Sequence, residues 1–189
     1  MIGRQLDFTF FTLDKLWNYF WEGYMDLSFI TEKGKFNYRV GAIIIHNNNL
    51  LMVKDEFSDY YYSVGGRVHM HETLEDAIRR EVFEEVGVEM DIDRLVYIHE
   101  NFFTEEHYTN EEDFGEKNKM RWHELSFYYL MKDTELLDDI HMEFKEAENL
   151  ATLKWISLED VPHTMMYPVF FRTDIKHLPQ QIKHIVTVE

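Results

Sequence analysis

The chain has 189 residues, a formal net charge of −17, 45% hydrophobic and 16% aromatic residues, and no cysteine. This is a globular composition, and it excludes collagen-like, low-complexity and fully disordered chains. The lack of cysteine excludes disulfide scaffolds, thiolate metal sites and cysteine nucleophiles, and the acidity argues against electrostatic adhesion to nucleic acid or anionic membranes. No run of about 18 apolar residues occurs, and residues 1–15 lack the apolar core of a signal peptide. A soluble protein of a reducing, cytoplasmic compartment is the expectation.

In chain order, residues 1–24 are rich in aromatic side chains. Leu13, Leu16, Trp17, Phe20, Trp21 and Tyr24 recur at helical spacing behind a Thr12 cap, which predicts an amphipathic extension suited to packing on the domain or on a second copy. Residues 25–189 then form the main domain. Phe36–Val40 alternates, Ala42–Ile45 is continuously apolar, and Leu50–Val53 follows the turn at His46–Asn49, predicting a hairpin. Tyr60–Val64 reads as a third strand, and Phe57 with Tyr60–Tyr62 either packs or stacks a base. A helix is expected over Leu74–Val86, capped by Thr73 with Asp76 and stopped by Gly87. Val88–Thr104 and Trp122–Met131 read as strands around an acidic loop at 105–119. Leu153–Ile156 is a short strand, Ser157–Val161 opens a helix, and Tyr167–Leu178 suggests another. The mixture predicts an α+β fold, a mixed sheet with helices on its faces.

The Leu74–Val86 segment does not read as a simple core helix. On a wheel of about 100° per residue, Leu74, Ile78, Val82 and Val86 share one arc, while Glu84, Glu81 and Glu85 fall at roughly 280°, 340° and 20° from Leu74. Glu85 thus intrudes into the apolar stripe. At about 5.5 Å and an effective dielectric near 20, each carboxylate pair repels by roughly 3 kcal/mol. Arg80, at about 240°, reaches only the edge of this patch. Either these glutamates are a solvated face, or a divalent cation with oxygen ligands, Mg²⁺ or Mn²⁺, offsets them. Gly65 and Gly66 just upstream allow close approach of backbone to a ligand.

The segment from Gly66 to Val88 resembles the signature of the Nudix hydrolases, G-x5-E-x7-R-E-U-x-E-E-x-G-U with U bulky and aliphatic. Gly66, Glu72, Arg80, Glu81, Val82, Glu84, Glu85, Gly87 and Val88 fill every specified position. The resemblance implies an α/β/α sandwich and hydrolysis of a diphosphate linkage in a nucleoside diphosphate joined to another group. It implies metal ligands at Glu81, Glu84 and Glu85, with the Gly66 carbonyl added, and a Glu72–Arg80 salt bridge that supports the loop. It leaves the general base open between Glu84 and Glu85 and the later carboxylates Glu124, Glu146 and Glu148. His69 and His71, in the loop before the helix, are either substrate contacts or solvated residues. A small nucleotide-like substrate is the implied partner; separately, the aromatic extension would suit a homodimer interface. The alternative is a non-catalytic domain that binds or senses such a nucleotide; such domains lose box carboxylates, and here none is lost.

Overall fold

The computed structural model describes residues 25–56, 58–107, 118–146 and 149–189. The aromatic extension at 1–24, Phe57 and Glu148 therefore lie outside the described residues, as does the side chain of Glu146. The strands are β1 (Ser28–Thr31), β2 (Gly34–Ile43), β3 (Ile45–His46), β4 (Asn49–Asp55) and β5 (Tyr61–Tyr62). Helix α1 (Leu74–Val86) follows, then β6 (Ile92–His107), β7 (Asn118–Met131), β8 (Glu143–Glu146), β9 (Asn149–Ser157), β10 (Met166–Tyr167), α2 (Phe171–Asp174) and β11 (Lys183–Val188).

The mixed arrangement is divided between two sheets. One has the order β1-β2-β7-β6-β11; the other runs β10-β5-β4-β9-β8, with β3 beside β4. The pairs β2–β7, β6–β11 and β5–β10 are parallel, and the rest are antiparallel. The first sheet is dominated by a long β6–β7 hairpin whose arms extend into the acidic segment, to His107 and from Asn118.

The continuously apolar run after Gly41 is explained by burial on both faces. Ala42 and Ile44, with Leu51 and Val53, join the core under α1, where Ala77, Ile78, Val82 and Val86 complete it. Ile43, Leu50 and Met52 point the other way, into a second core with Tyr97, Tyr128, Phe171 and Ile175. Strands between α1 and the short C-terminal helices thus make the expected sandwich. The two C-terminal helix expectations shrink: β9 runs through Ser157, and only a 3-10 turn at Val161–His163 follows. The Tyr167–Leu178 helix reduces to α2 and a 3-10 turn at Ile175–His177. Pro162 near the start of the first turn and the extended backbone of Met166–Tyr167 paired with β5 prevent longer helices there.

Candidate active site

Helix α1 begins where its cap residue dictates. The Thr73 hydroxyl accepts the Asp76 N–H at 3.1 Å, and Gly87 ends the helix in the left-handed region, its N–H donating to the Phe83 carbonyl at 2.9 Å. Glu85 is buried together with the apolar residues of the core face, at 8% exposure, as its wheel position requires.

The preceding loop is stitched to β2 like an additional strand. Val40 N–H donates to the Gly66 carbonyl at 2.9 Å, Ala42 N–H to Val64 at 2.8 Å, and Val68 N–H to Tyr38 at 3.0 Å. This draws Gly65 and Gly66 across the carboxylate face of α1. Gly65 donates its N–H to Glu85 Oε2 at 3.3 Å. A Cβ on Gly66 would overlap the Glu81 carboxylate, so only glycine lets the loop lie this close.

Arg80 is the hub. Its Nε and Nη2 donate to Glu72 Oε1 and Oε2 at 2.8 and 2.9 Å, and Nη2 also reaches the Arg67 carbonyl at 3.0 Å. The expected Glu72–Arg80 pair is therefore present as a two-point bridge, and Glu72 Oε2 also accepts the His69 N–H at 2.9 Å. Burial alone would push the Glu72 carboxyl up, but hydrogen bonds from Arg80 and His69 outweigh it and hold the group below its ordinary range. Nη1 of Arg80 donates to Glu81 Oε1 at 2.7 Å and to Glu84 Oε2 at 3.3 Å. The helical wheel confines Arg80 to the edge of the patch; its long side chain instead spans it, because the wheel fixes only the Cα direction. Even so, Glu81 and Glu84 both lie above the usual carboxylate range, because burial outweighs the attraction of Arg80.

Among the described residues, no three His, Asp or Glu side chains are gathered closely enough to enclose a metal ion. Glu81 and Glu84 face Arg80, and Glu85 meets the Gly65 N–H. The donor set nevertheless fits a hard divalent cation in kind. It is all oxygen: three carboxylates on adjacent turns and the Gly66 carbonyl, which keeps a lone pair beyond the one engaged by Val40.

The other candidates lie elsewhere. His69 sets its ring 3.4 Å from Asp26 Oδ1 and 3.8 Å from Glu72 Oε2, within the loop's own packing. His71 is exposed at a φ of 68°. Glu124, on β7, accepts from Asn37 Nδ2 at 2.8 Å and lines a cleft of about 350 Å³ between residues of the first sheet and Tyr62 and Tyr167 of the second. Arg39, on β2, lines the same cleft, with Nη1 4.0 Å from Glu124. Its charge also acts on the Glu81 carboxyl, so it stands between the cleft and the box. Sequence reasoning passed over Arg39 as one polar position in an alternating strand. The one signal in the chain was a cation in a strand two residues before Gly41.

The NUDIX domain family model matches residues 35–173, and the chain belongs to this family. It is an enzyme of the pyrophosphohydrolase class, acting on phosphorus-containing acid anhydrides. The fold is similar to that of a MutT protein from Bacillus halodurans, at 15% identity, with 78% of this chain and 89% of that one covered and a TM-score of 0.52. A NUDIX hydrolase from Nitrosomonas europaea is alike at 14% identity, 81% and 79% coverage and a TM-score of 0.52. No curated protein sequence matches the chain significantly. Among the described residues, no helix is long and apolar enough to cross a membrane.

Proposed function

We propose that the chain hydrolyses a diphosphate linkage in a nucleoside diphosphate joined to a further group, with Mg²⁺, or Mn²⁺ in its place, held by Glu81, Glu84, Glu85 and the Gly66 carbonyl. The observation that carries this reading is the apposition of two glutamates on α1, the half-buried Glu81 and the buried Glu85, to two glycines: Glu81 against Gly66 and Glu85 against Gly65. When bound, the cation supplies charge neutralisation for the phosphates and lowers the pKa of water.

The chain's own residues do the rest. Glu84 and Glu85 are the box carboxylates that take the general-base role. Arg80 holds the loop through Glu72 and, by donating to Glu81 and Glu84, offsets the repulsion between these two carboxylates. Arg39 lends positive charge to the diphosphate at the mouth of the cleft. Glu124, Glu146 and Glu148 remain as candidate bases from outside the box, and His71 as a substrate contact from the loop's exposed turn. A cytoplasmic enzyme with a small-molecule substrate, acting without nucleic acid or membrane, accords with the charge of −17 and the absence of cysteine. A homodimer through residues 1–24 completes the reading.

The test is release of phosphorylated products from nucleoside triphosphates, nucleotide sugars and dinucleotides with Mg²⁺ or Mn²⁺, beside Glu85→Gln. Turnover abolished by EDTA and lowered at least about tenfold in the variant supports hydrolysis. Binding of nucleotides without any turnover would instead favour the sensor alternative.

A further inference from the structure

A single row of side chains crosses the first sheet from edge to edge. Phe29 of β1 stands opposite Phe36 of β2, Phe36 opposite His123 of β7, His123 opposite Phe102 of β6, and Phe102 opposite Val188 of β11. The rings touch along it. Phe29 stacks on Phe36 with centroids 5.2 Å apart, Phe36 meets His123 edge to face at 5.3 Å, and His123 stacks on Phe102 at 4.3 Å. Strand alternation puts Phe36 on the same face as Tyr38 and Val40, the face that α1 covers. The helix stops short of the row. Phe29, Phe36, Phe102 and Val188, with Leu125 and Val186 in the adjoining row, belong to neither core among the described residues. Both ends stay open, Phe29 at 58% exposure and Val188 at 77%. An apolar stripe presented by both edge strands of a sheet marks a surface that another segment covers.

The stripe matches residues 13–24 in length and chemistry. Five strands leave four gaps of about 4.8 Å, so the row is about 19 Å long. A helix of twelve residues is about 18 Å long. Leu13, Leu16, Trp17, Phe20, Trp21 and Tyr24 give that stretch one apolar side, with Asp14, Lys15, Asn18 and Glu22 between them. The path of the chain bears on whose row it covers. Traced backward from Phe29, β1 leads toward α1: Leu27 accepts the Tyr38 N–H at 3.0 Å and packs on the core beneath that helix. Asp26 then lies opposite His69, and the Met25 carbonyl accepts the Met70 N–H at 2.8 Å. Residues 25–27 are thus tied to the box loop, and no spare residue separates them from Tyr24 to turn a helix back onto its own row. A connection this short favours exchange between copies.

We propose that the row from Phe29 to Val188 seats residues 13–24 of a second copy, each extension crossing to the other copy's first sheet. This rests on the homodimer reading above and gives it a surface. Aromatic side chains bury about 150–250 Å² each. Trp17, Phe20, Trp21 and Tyr24 in two reciprocal contacts therefore supply about 1,200–2,000 Å², the range of a stable interface. The row also lies on the opposite face of the sheet from the cleft, because Asn37 and Glu124 alternate with Phe36 and His123 along β2 and β7. Docking there leaves the way to the box open.

Sedimentation velocity on the full chain is the test. The wild-type protein is expected to be a dimer, and Phe29→Lys and Val188→Lys, both at exposed positions, should each weaken it at least about tenfold. So should Trp17→Ala combined with Trp21→Ala. Leu136→Lys, exposed on the 3-10 turn at Glu135–Asp139, should leave it unchanged. About six glycine and serine residues inserted between Tyr24 and Met25 should convert the dimer to a monomer, because each extension then reaches its own row at high effective concentration. A dimer that survives the insertion overturns the exchange. A dimer that the tryptophan substitutions dissociate but both row substitutions leave intact overturns the row and leaves the homodimer reading standing. A wild-type chain still monomeric at about 100 μM overturns both.

Discussion

The Gly65 N–H donates to the Glu85 carboxylate across 20 residues of sequence, at 3.3 Å, while the neighbouring Gly66 lies so close to Glu81 that a methyl group would not fit between them. The loop and the helix are therefore fitted to one another through two glycine–glutamate contacts. The two glycines meet different obstacles, and that difference is testable. A Cβ on Gly65 would strike the Val40 backbone, and its φ of 138° is unsuited to other residues. Gly65→Ala is expected to cost about 1–3 kcal/mol of stability. Gly66→Ala meets a movable carboxylate, so it should leave urea unfolding nearly unchanged while lowering kcat at least about tenfold, because the displaced group is Glu81, a proposed ligand.

Glu72 is the second lever. Its carboxylate receives two hydrogen bonds from Arg80 and one from the His69 backbone, and its side chain is 12% exposed. Glu72→Ala leaves the guanidinium without its main partner, and a loss of about 2 kcal/mol is expected. A Glu72→Gln protein should recover part of this loss. Because the folded-state pKa lies below the ordinary 4.5, the wild-type advantage over Glu72→Gln is present above pH 4.5 and should shrink as pH falls through the folded value. Denaturation midpoints of the two proteins across acid pH are the measurement.

His46 gives a pH dependence of opposite sense. Its Nδ1 is 2.6 Å from Asp133 Oδ1 and its Nε2 3.0 Å from Asp138 Oδ1. Hydrogen bonds to Asp138 and Asp133 raise its pKa above the ordinary 6.5. The stabilisation is therefore complete below pH 6.5 and is lost as pH rises through the folded-state value. Melting temperatures measured upward from pH 6 should decline more steeply for the wild type than for His46→Gln.

Divalent cation should stabilise the folded chain. Ligand at about 100 times its Kd adds roughly 2.7 kcal/mol, so Mn²⁺ or Mg²⁺ should raise the melting temperature. Glu81→Gln and Glu85→Gln should each abolish most of the rise. The carboxyls of Glu81 and Glu84, both raised by burial, must lose their protons to bind, and the shift should fade as pH is lowered.

Much of the site was legible because it is local. Thr73, Gly87 and the apolar spacing fixed both ends of α1, and the box residues lie within one loop and one helix. What sequence reading missed depends on distant pairing. Arg39 and Glu124 share a cleft only because β2 lies parallel to β7, with Asn37 opposite Glu124 and Arg39 opposite Ser126. Neither periodicity nor spacing encodes that register. β1, β8 and β11 are short edge strands, and β11 alternates too weakly to stand out. The C-terminal helices were overread because apolar residues in short turns mimic a helical period when they pack on one core.

The stitching of the loop to β2 also bears on how the enzyme is made. β2 supplies the backbone for Val64, Gly66 and Val68, yet its other long neighbour is β7, which leaves the ribosome only after some eighty further residues have been added. Such non-local pairing is slow to form. Helix α1 can be wound early, but the strand against which its carboxylates are aligned gains its lasting neighbour late. A nascent chain halted before β7 would therefore carry the whole signature and still lack the scaffold that aligns it. In refolding experiments, return of turnover should track closure of the first sheet rather than the return of helical signal.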